Sequence, residues 1–338
     1  MTRPSTYEHS RYLEAKRTVD DRALHRPTLD RLREALAVRS ADARDAPLRV
    51  VEVGCGTGSM LRRLLEWGVL PDEVVYRGYD LREESVDRAV EELKAWAEGV
   101  KDAEGTGYAL GEVRNDPEAT RTVRLDGPDG SSVTATFAAA DAVEVARRTD
   151  AAYDLLVGCA FLDLVDIDRA LDPLLGLVPD GFAYFPITYD GETFLVPSLE
   201  GDGTVDEATE RAVLDVYHAT MDAPDRAGGS RTGRELFPAL PAADAEVVAG
   251  GGSDWLVTPP YPGEEAYFLH HLVDGIEEAV GGALADGSPA VADEDTVDRL
   301  SPGMVGEWAD ARHCAITNGQ LTFGAHNLDV LAHVESDD

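Results

Sequence analysis

The sequence predicts an α/β protein: a doubly wound, seven-stranded, mostly parallel sheet with helices on both faces. Three observations predict it. Short apolar runs rich in valine alternate with segments whose apolar residues recur at helical spacing, the pattern of strands buried on both faces between crossover helices. Gly54, Gly56 and Gly58 stand where the first such run gives way to a helical segment. Asp80 and Asp141 close two further runs, at the carboxyl edge where open α/β sheets place their ligands.

The elements follow in order. Residues 5–38 carry apolar positions at helical spacing, interrupted at Pro27, and predict two helices; residues 1–46 then form an N-terminal helical cap. "LRVVEV" predicts the first strand and "SMLRRLLEWG" a helix closing on glycine. "VVYRGYD" is the second strand, followed by "REESVDRAVEELKAWAEG", whose Val86, Ala89, Val90, Leu93 and Trp96 share one face. Residues 99–120 are polar and glycine-bearing and predict a surface excursion. "TRTVRLDGPDGSSVTATFAAAD" predicts a hairpin turning across residues 126–130. "AYDLLVGCAFLDLV" gives a fourth inner strand leading into a helix over residues 164–178, and "DGFAYFPITYDG" a fifth strand. Residues 47–187 thus make a core unit. Residues 188–231 predict an insertion over the sheet's edge, with a helix in "DEATERAVLDVYHATMD". Residues 232–338 return to the core as helix, strand, helix and final strand. No fixed-period repeat is present.

Composition narrows the function. The 338 residues include 65 acids against 30 basic residues, a formal charge of −35. Only Lys16, Lys94 and Lys101 are lysines. Such a surface repels itself in dilute buffer and resembles proteins of salt-accumulating halophiles, where cations screen within a few ångströms. The acids are spread along the chain and no Lys/Arg stripe offers to neutralise phosphates, which argues against nucleic acid as a partner. Cys55, Cys159 and Cys314 are too few and scattered for a disulfide framework, and no His/Cys/Asp cluster has metal-ligand spacing, so no metal is expected. The chain carries no signal-like apolar core near residue 1 and no run near the roughly 18 apolar residues of a membrane span; the expectation is a cytoplasmic protein, with its oligomeric state open.

The glycine loop "VVEVGCGTG" lacks the Gly-Lys-Ser/Thr of a phosphate-gripping P-loop, and Ser59 stands where a dinucleotide fingerprint requires its third glycine. Glu52, two residues before the loop, opposes a pyrophosphate by like charge. A cofactor with a cationic end and no phosphate avoids the conflict. The motif resembles the first motif of class I S-adenosylmethionine-dependent methyltransferases, and the resemblance extends in order to about residue 187. It implies that Gly54, Cys55, Gly56 and Gly58 lie against the methionine and ribose of S-adenosylmethionine, and that Glu52 supports the ammonium. It implies further that Asp80 takes the ribose hydroxyls with Leu81 alongside, that Asp141 takes the adenine amino group between Ala140 and Ala142, and that Cys159 and Phe161 in "GCAFLD" sit where methyl group and acceptor meet. Singly, the glycines are a tight turn and each Asp a helix cap; order and spacing join them.

Methyl transfer needs little beyond an aligned acceptor in a dry site, so no catalytic residue is assigned. "TPPYP" at residues 258–262 is a rigid turn downstream of where an amino-nucleobase motif would stand. The acceptor is expected to be a small molecule, anionic if Arg231 and Arg234 beside the Gly-Gly-Ser stretch hold it, with surface pairing of those arginines the plainer alternative. Tyr189, His218 and Trp255 are further acceptor-side candidates. Tyr12 and Lys16 resemble lid elements, and His270 and His271 are packing positions. Three rival functions remain open: an RNA or protein methyltransferase, an NAD-dependent oxidoreductase, and a non-catalytic S-adenosylmethionine-binding module.

Overall fold

A computed structural model describes residues 2–42, 46–99, 107–115, 120–199, 205–224, 226–285 and 299–335. The predicted α/β architecture is observed. Three short helices lead: α1 (His9–Ala15), α2 (Arg17–Ala23) and α3 (Arg26–Asp42). Three replace the expected two, because the chain also breaks at Lys16, while Pro27 sits in the first turn of α3, where its missing N–H costs no bond.

The five central strands are β1 (Leu48–Val53), β2 (Glu73–Asp80), β5 (Ser132–Ala139), β6 (Leu155–Val157) and β7 (Phe182–Val196), parallel in the order β5-β2-β1-β6-β7. β1 lies in the middle, and Leu48, Val50, Val51, Glu52 and Val53 are buried on its two faces. The crossovers are α4 (Ser59–Glu66), α5 (Glu83–Gly99), α6 (Ala142–Ala146) and α7 (Ile167–Leu175). Val86, Ala89, Val90, Leu93 and Trp96 all face the core as predicted. The chain winds outward from β1 through β2 to β5, then returns across β1 to start β6. This reversal opens a crevice at the carboxyl ends of β1 and β6, the topological position for a ligand.

Antiparallel strands flank this core, giving ten strands among the described residues where seven were expected. On one side stand β3 (Ala109–Asn115) and β4 (Thr120–Asp126). The predicted hairpin from β4 to β5 forms, with a 3₁₀ turn at Pro128–Gly130. Part of the expected excursion is instead the edge strand β3; residues 100–106 and 116–119 lie outside the described residues. On the other side, β8 (Ala245–Gly252) and β9 (Trp255–Val257) both pair with the long β10 (Thr322–Val334), which also pairs antiparallel with β7. Because β7 runs on to Val196, the first residues of the expected insertion belong to the sheet. Residues 200–204 and 225 of that segment lie outside the described residues.

Beyond the sheet, α8 (Glu207–Met221), α10 (Glu265–Ala285) and α11 (Pro302–Thr317) bury a second apolar cluster around Trp308, Phe268 and Tyr267. Between them comes α9 (Thr232–Ala242), which packs on the sheet through Leu236 and Leu240. α11 was not predicted. It is pinned by Arg312, whose Nε donates to Glu210 at 2.6 Å with both side chains buried, while Trp308 Nε1 donates to the same carboxylate at 3.0 Å. The N-terminal helices are fastened through Asp329, fully buried on β10, which accepts from the His25 N–H at 3.0 Å, the Ile187 N–H at 2.9 Å and the Tyr184 hydroxyl at 2.8 Å. A buried carboxylate so placed must be satisfied by several donors, and this one ties cap, β7 and β10 together. Among the described residues no helix is long and apolar enough to cross a membrane.

Candidate functional site

The strand-to-helix turn after β1 is closed by backbone alone. Gly54, Gly56 and Gly58 have φ of +67°, +50° and +73°, a region that L side chains enter only under strain. A Cβ at Gly54 would lie 2.6 Å from Phe161 Cδ2, and one at Gly56 3.2 Å from Leu13. The glycines are therefore required by the turn, and Gly54 and Gly56 also leave bare backbone on the crevice.

Asp80, at the end of β2, accepts the Gly56 N–H at 3.0 Å with one oxygen and the Arg82 N–H at 2.9 Å with the other. The carboxylate is held against the loop before any ligand contributes. Leu81 beside it is 75% exposed. The Ala140 N–H donates to the Asp80 carbonyl at 2.8 Å, bringing the β5 end alongside. Asp141 caps α6, one oxygen accepting from Val143 at 2.9 Å and Glu144 at 3.1 Å. The capping alternative thus holds for Asp141, which is exposed. Ala142 is buried on the α6–α7 side of the sheet, and Ala140 is half-buried against the same cluster.

A cavity of about 150 Å³ occupies the switch point, lined by the predicted Glu52, Gly54, Cys55, Gly56, Asp80, Cys159 and Phe161, while the predicted Gly58, Leu81, Ala140, Asp141 and Ala142 do not line it. Cys55 is itself buried. Glu52 is 1% exposed and accepts the Tyr76 hydroxyl at 2.6 Å. Burial pushes its carboxyl up to about 8, against the opposing pull of Tyr76 and Arg63. Burial likewise lifts the Cys159 thiol to about 12, so it is no nucleophile.

Sequence reasoning missed the polar network that the cap brings to this cavity. Asp20, buried, receives Trp255 Nε1 at 3.0 Å and pairs with Lys16 at 3.5 Å and Arg63 at 3.4 Å. Burial draws the Lys16 ammonium down, but Asp20 and Tyr12 outweigh it and the pKa ends above its ordinary value. Lys16, Asp20, His9 and Leu13 all line the cavity. Trp255, offered as an acceptor residue, serves here as a donor to Asp20. Helical periodicity gave no signal of this, since the contacts span 43 residues or more for Arg63 and Trp255.

The acceptor-side candidates divide. Tyr189 and His218 come together, hydroxyl to Nε2 at 2.8 Å, with Thr193 2.8 Å from the same hydroxyl. Tyr12 stacks on Phe268 and lies 4.3 Å from the His271 ring. Arg234 is corrected: its Nε donates to Asp190 at 2.8 Å and its NH2 to the Asp190 carbonyl at 2.7 Å. That guanidinium fork is occupied within the chain, Arg231 is exposed at the start of α9, and neither lines the cavity. Tyr261 of "TPPYP" donates its hydroxyl to the Leu321 carbonyl at 2.6 Å, which fits a rigid turn. His270 is fully buried, Nδ1 2.8 Å from that of His313. Against the expected absence of a metal cluster, Asp274, Glu277 and His313 have ligand-compatible spacing among the described residues. Arg3 already projects onto both carboxylates.

No protein-family model and no curated protein sequence matches this chain. Solved structures resemble it in fold. A phosphoethanolamine N-methyltransferase from Haemonchus contortus matches at 14% identity and a TM-score of 0.35, over 86% of this chain and 49% of that one, so this chain spans about half its length. Magnesium protoporphyrin IX methyltransferase from Synechocystis matches at 14% identity and a TM-score of 0.35, over 67% and 76%. An S-adenosylmethionine-dependent methyltransferase from Thiobacillus denitrificans matches at 16% and 0.37, over 92% of both chains. Likenesses this distant carry no activity across.

Proposed function

We propose that the chain is an S-adenosylmethionine-dependent methyltransferase acting on a small molecule in a salt-rich cytoplasm. The observation that carries this reading is the Asp80–Gly56 hydrogen bond at the rim of the switch-point cavity. A carboxylate prefixed beside a bare backbone suits a nucleoside's ribose hydroxyls, because its remaining lone pairs accept two O–H donors. The two acids lining the cavity, Glu52 beneath the loop and Asp20 from the cap, fit the ammonium of the methionine tail, and Lys16 fits its carboxylate. Leu81 and Ala140 offer apolar surface to the adenine, and Asp141 keeps an oxygen for its amino group. The bound cofactor supplies an electrophilic methyl group. The chain supplies position and exclusion of water: Phe161 packs against Gly54, and the cap residues His9, Leu13 and Lys16 roof the cavity.

The wide dispersal of acids supports adaptation to salt, and three free thiols fit a reducing compartment. Methyl-labelled S-adenosylmethionine incubated with the chain and fractionated cell extract in multimolar KCl tests the reading. Label entering the small-molecule fraction supports it; label confined to RNA or protein overturns the acceptor class, and none in any fraction leaves only a binding module.

A further inference from the structure

α10 and α11 pack against each other away from the cofactor crevice. One stripe of α10 carries His270, Asp274 and Glu277, which follow one another by a helical turn, and His313 comes to that stripe from α11, directly after the Arg312 that pins the same helix to α8. The ligand atoms of Asp274, Glu277 and His313 lie within 4.8 Å of one another. None of the three lines the switch-point cavity. His313 is 4% exposed, and its Nε2 is buried with no hydrogen-bond partner.

The other ring nitrogen of His313, Nδ1, lies 2.8 Å from Nδ1 of the fully buried His270. With both rings neutral, one proton is shared between those two atoms. If His313 holds it, Nε2 turns a bare lone pair toward an Asp274 oxygen 3.4 Å away, and two electron-rich atoms face each other. If His270 holds it, Nε2 carries a proton that makes no hydrogen bond to that oxygen. Either tautomer leaves a buried polar atom unsatisfied, which is costly. Arg3 meets only part of the need. It pairs with Asp274 and donates to Glu277 at 3.2 Å and to Asp310 at 3.3 Å, so one positive charge serves three acids and none of its N–H groups reaches Nε2. Its side chain is 40% exposed and free to swing into solvent.

We propose that Asp274, Glu277 and His313 bind a divalent first-row transition-metal ion, and that Arg3 is the counter-ion it displaces. The ion takes the Nε2 lone pair and both carboxylates, which removes the unsatisfied nitrogen and supplies the second positive charge that Arg3 lacks. His270 then accepts from His313 Nδ1 and fixes the ring, as the outer partners of metal-bound imidazoles do. One imidazole with two carboxylates suits Mn(II), Co(II) or Zn(II), whereas Mg(II) keeps to oxygen ligands. The half-buried Glu277 side chain faces the surface, so an ion can enter once Arg3 withdraws. Bound there, it ties α10 to α11 on the opposite side from the Arg312–Glu210 pair. The site stands independently of the methyltransferase reading.

Cobalt(II) nitrate titrated into the full chain in multimolar potassium nitrate tests this by equilibrium dialysis and proton NMR. The salt suppresses loose binding to the acidic surface, and nitrate avoids the competition that chloride offers for the ion. One ion per chain is expected, with a paramagnetically shifted N–H resonance from the His313 imidazole, and equimolar magnesium nitrate leaves the cobalt in place. Arg3→Gln is expected to tighten binding at least threefold, and Glu277→Gln to weaken it at least tenfold. His313→Gln removes the shifted resonance. Should that buried substitution not fold, the Arg3 and Glu277 variants decide, since both side chains reach the surface. No bound ion, several equivalent ions per chain, displacement by magnesium, or affinity unchanged in either of those two variants overturns the proposal. An ion bound without the shifted resonance marks a site of carboxylates alone and overturns it as well.

Discussion

Glu52 Oε2 accepts the Tyr76 hydroxyl at 2.6 Å, and both side chains are enclosed by the sheet directly beneath the glycine loop. With its carboxyl pushed up to about 8 by burial, Glu52 is mostly a neutral acid in the empty chain at neutral pH. A cationic ammonium arriving in the cavity favours the carboxylate and lowers that value. Cofactor binding is therefore expected to release a fraction of a proton between about pH 6 and 8, read as a dependence of calorimetric enthalpy on buffer ionisation. Glu52→Gln abolishes the release; a buffer-independent enthalpy in the wild type contradicts this role.

The same group sets a sign for stability. A carboxyl whose folded value lies above its unfolded one holds its proton longer in the native state, so its contribution is whole below about pH 4.5 and is lost as pH rises to about 8. Chemical denaturation of Glu52→Gln is expected to show a shallower fall over that window than the wild type. Parallel curves would remove the argument.

Gly54→Ala meets both a positive φ and Phe161, and is expected to destabilise by about 1–3 kcal/mol and to weaken cofactor binding. Gly275→Ala, on α10 with open space around a new Cβ, is expected to stabilise by up to about 1 kcal/mol. Equilibrium unfolding of both variants makes the comparison, and equal effects would refute the claim that the loop demands glycine.

Arg312→Ala strands Glu210 and is expected to cost about 3–5 kcal/mol, while cofactor affinity per folded molecule is unchanged. Unfolding midpoints and calorimetry check the two halves. A loss below about 1 kcal/mol would mean that this pair does not hold α11 in place.

Much of this was readable along the chain, and what was not has physical causes. β1 and α5 announced themselves because double burial demands a continuous valine run and one-sided burial demands helical spacing. β3 did not, since an edge strand buries little and "ALGEVRN" carries a glycine and three polar residues. Nor did α11, where Pro302, Gly303 and Gly306 dilute the helical pattern and Trp308 and Arg312 are fixed by a helix 98–102 residues earlier. At the site, Gly54, Gly56, Gly58 and Asp80 were legible because local backbone geometry selects them. For Arg234 the sequence offered both a ligand clamp and the plainer surface pairing, and could not name the partner because Asp190 comes to it from 44 residues away. Asp163 lay within a motif already singled out, but its buried Oδ1 without a hydrogen-bond partner is a property of packing and leaves no trace in spacing.

The most direct measurement is calorimetry in multimolar KCl of S-adenosylmethionine and NAD against the wild-type chain and Asp80→Ala. One S-adenosylmethionine site, no NAD site, and an affinity reduced at least tenfold by the substitution are predicted, in keeping with about 1.5–3 kcal/mol for hydrogen bonds to a charged group. A chain that ignores S-adenosylmethionine, or binds it equally well without Asp80, contradicts the account.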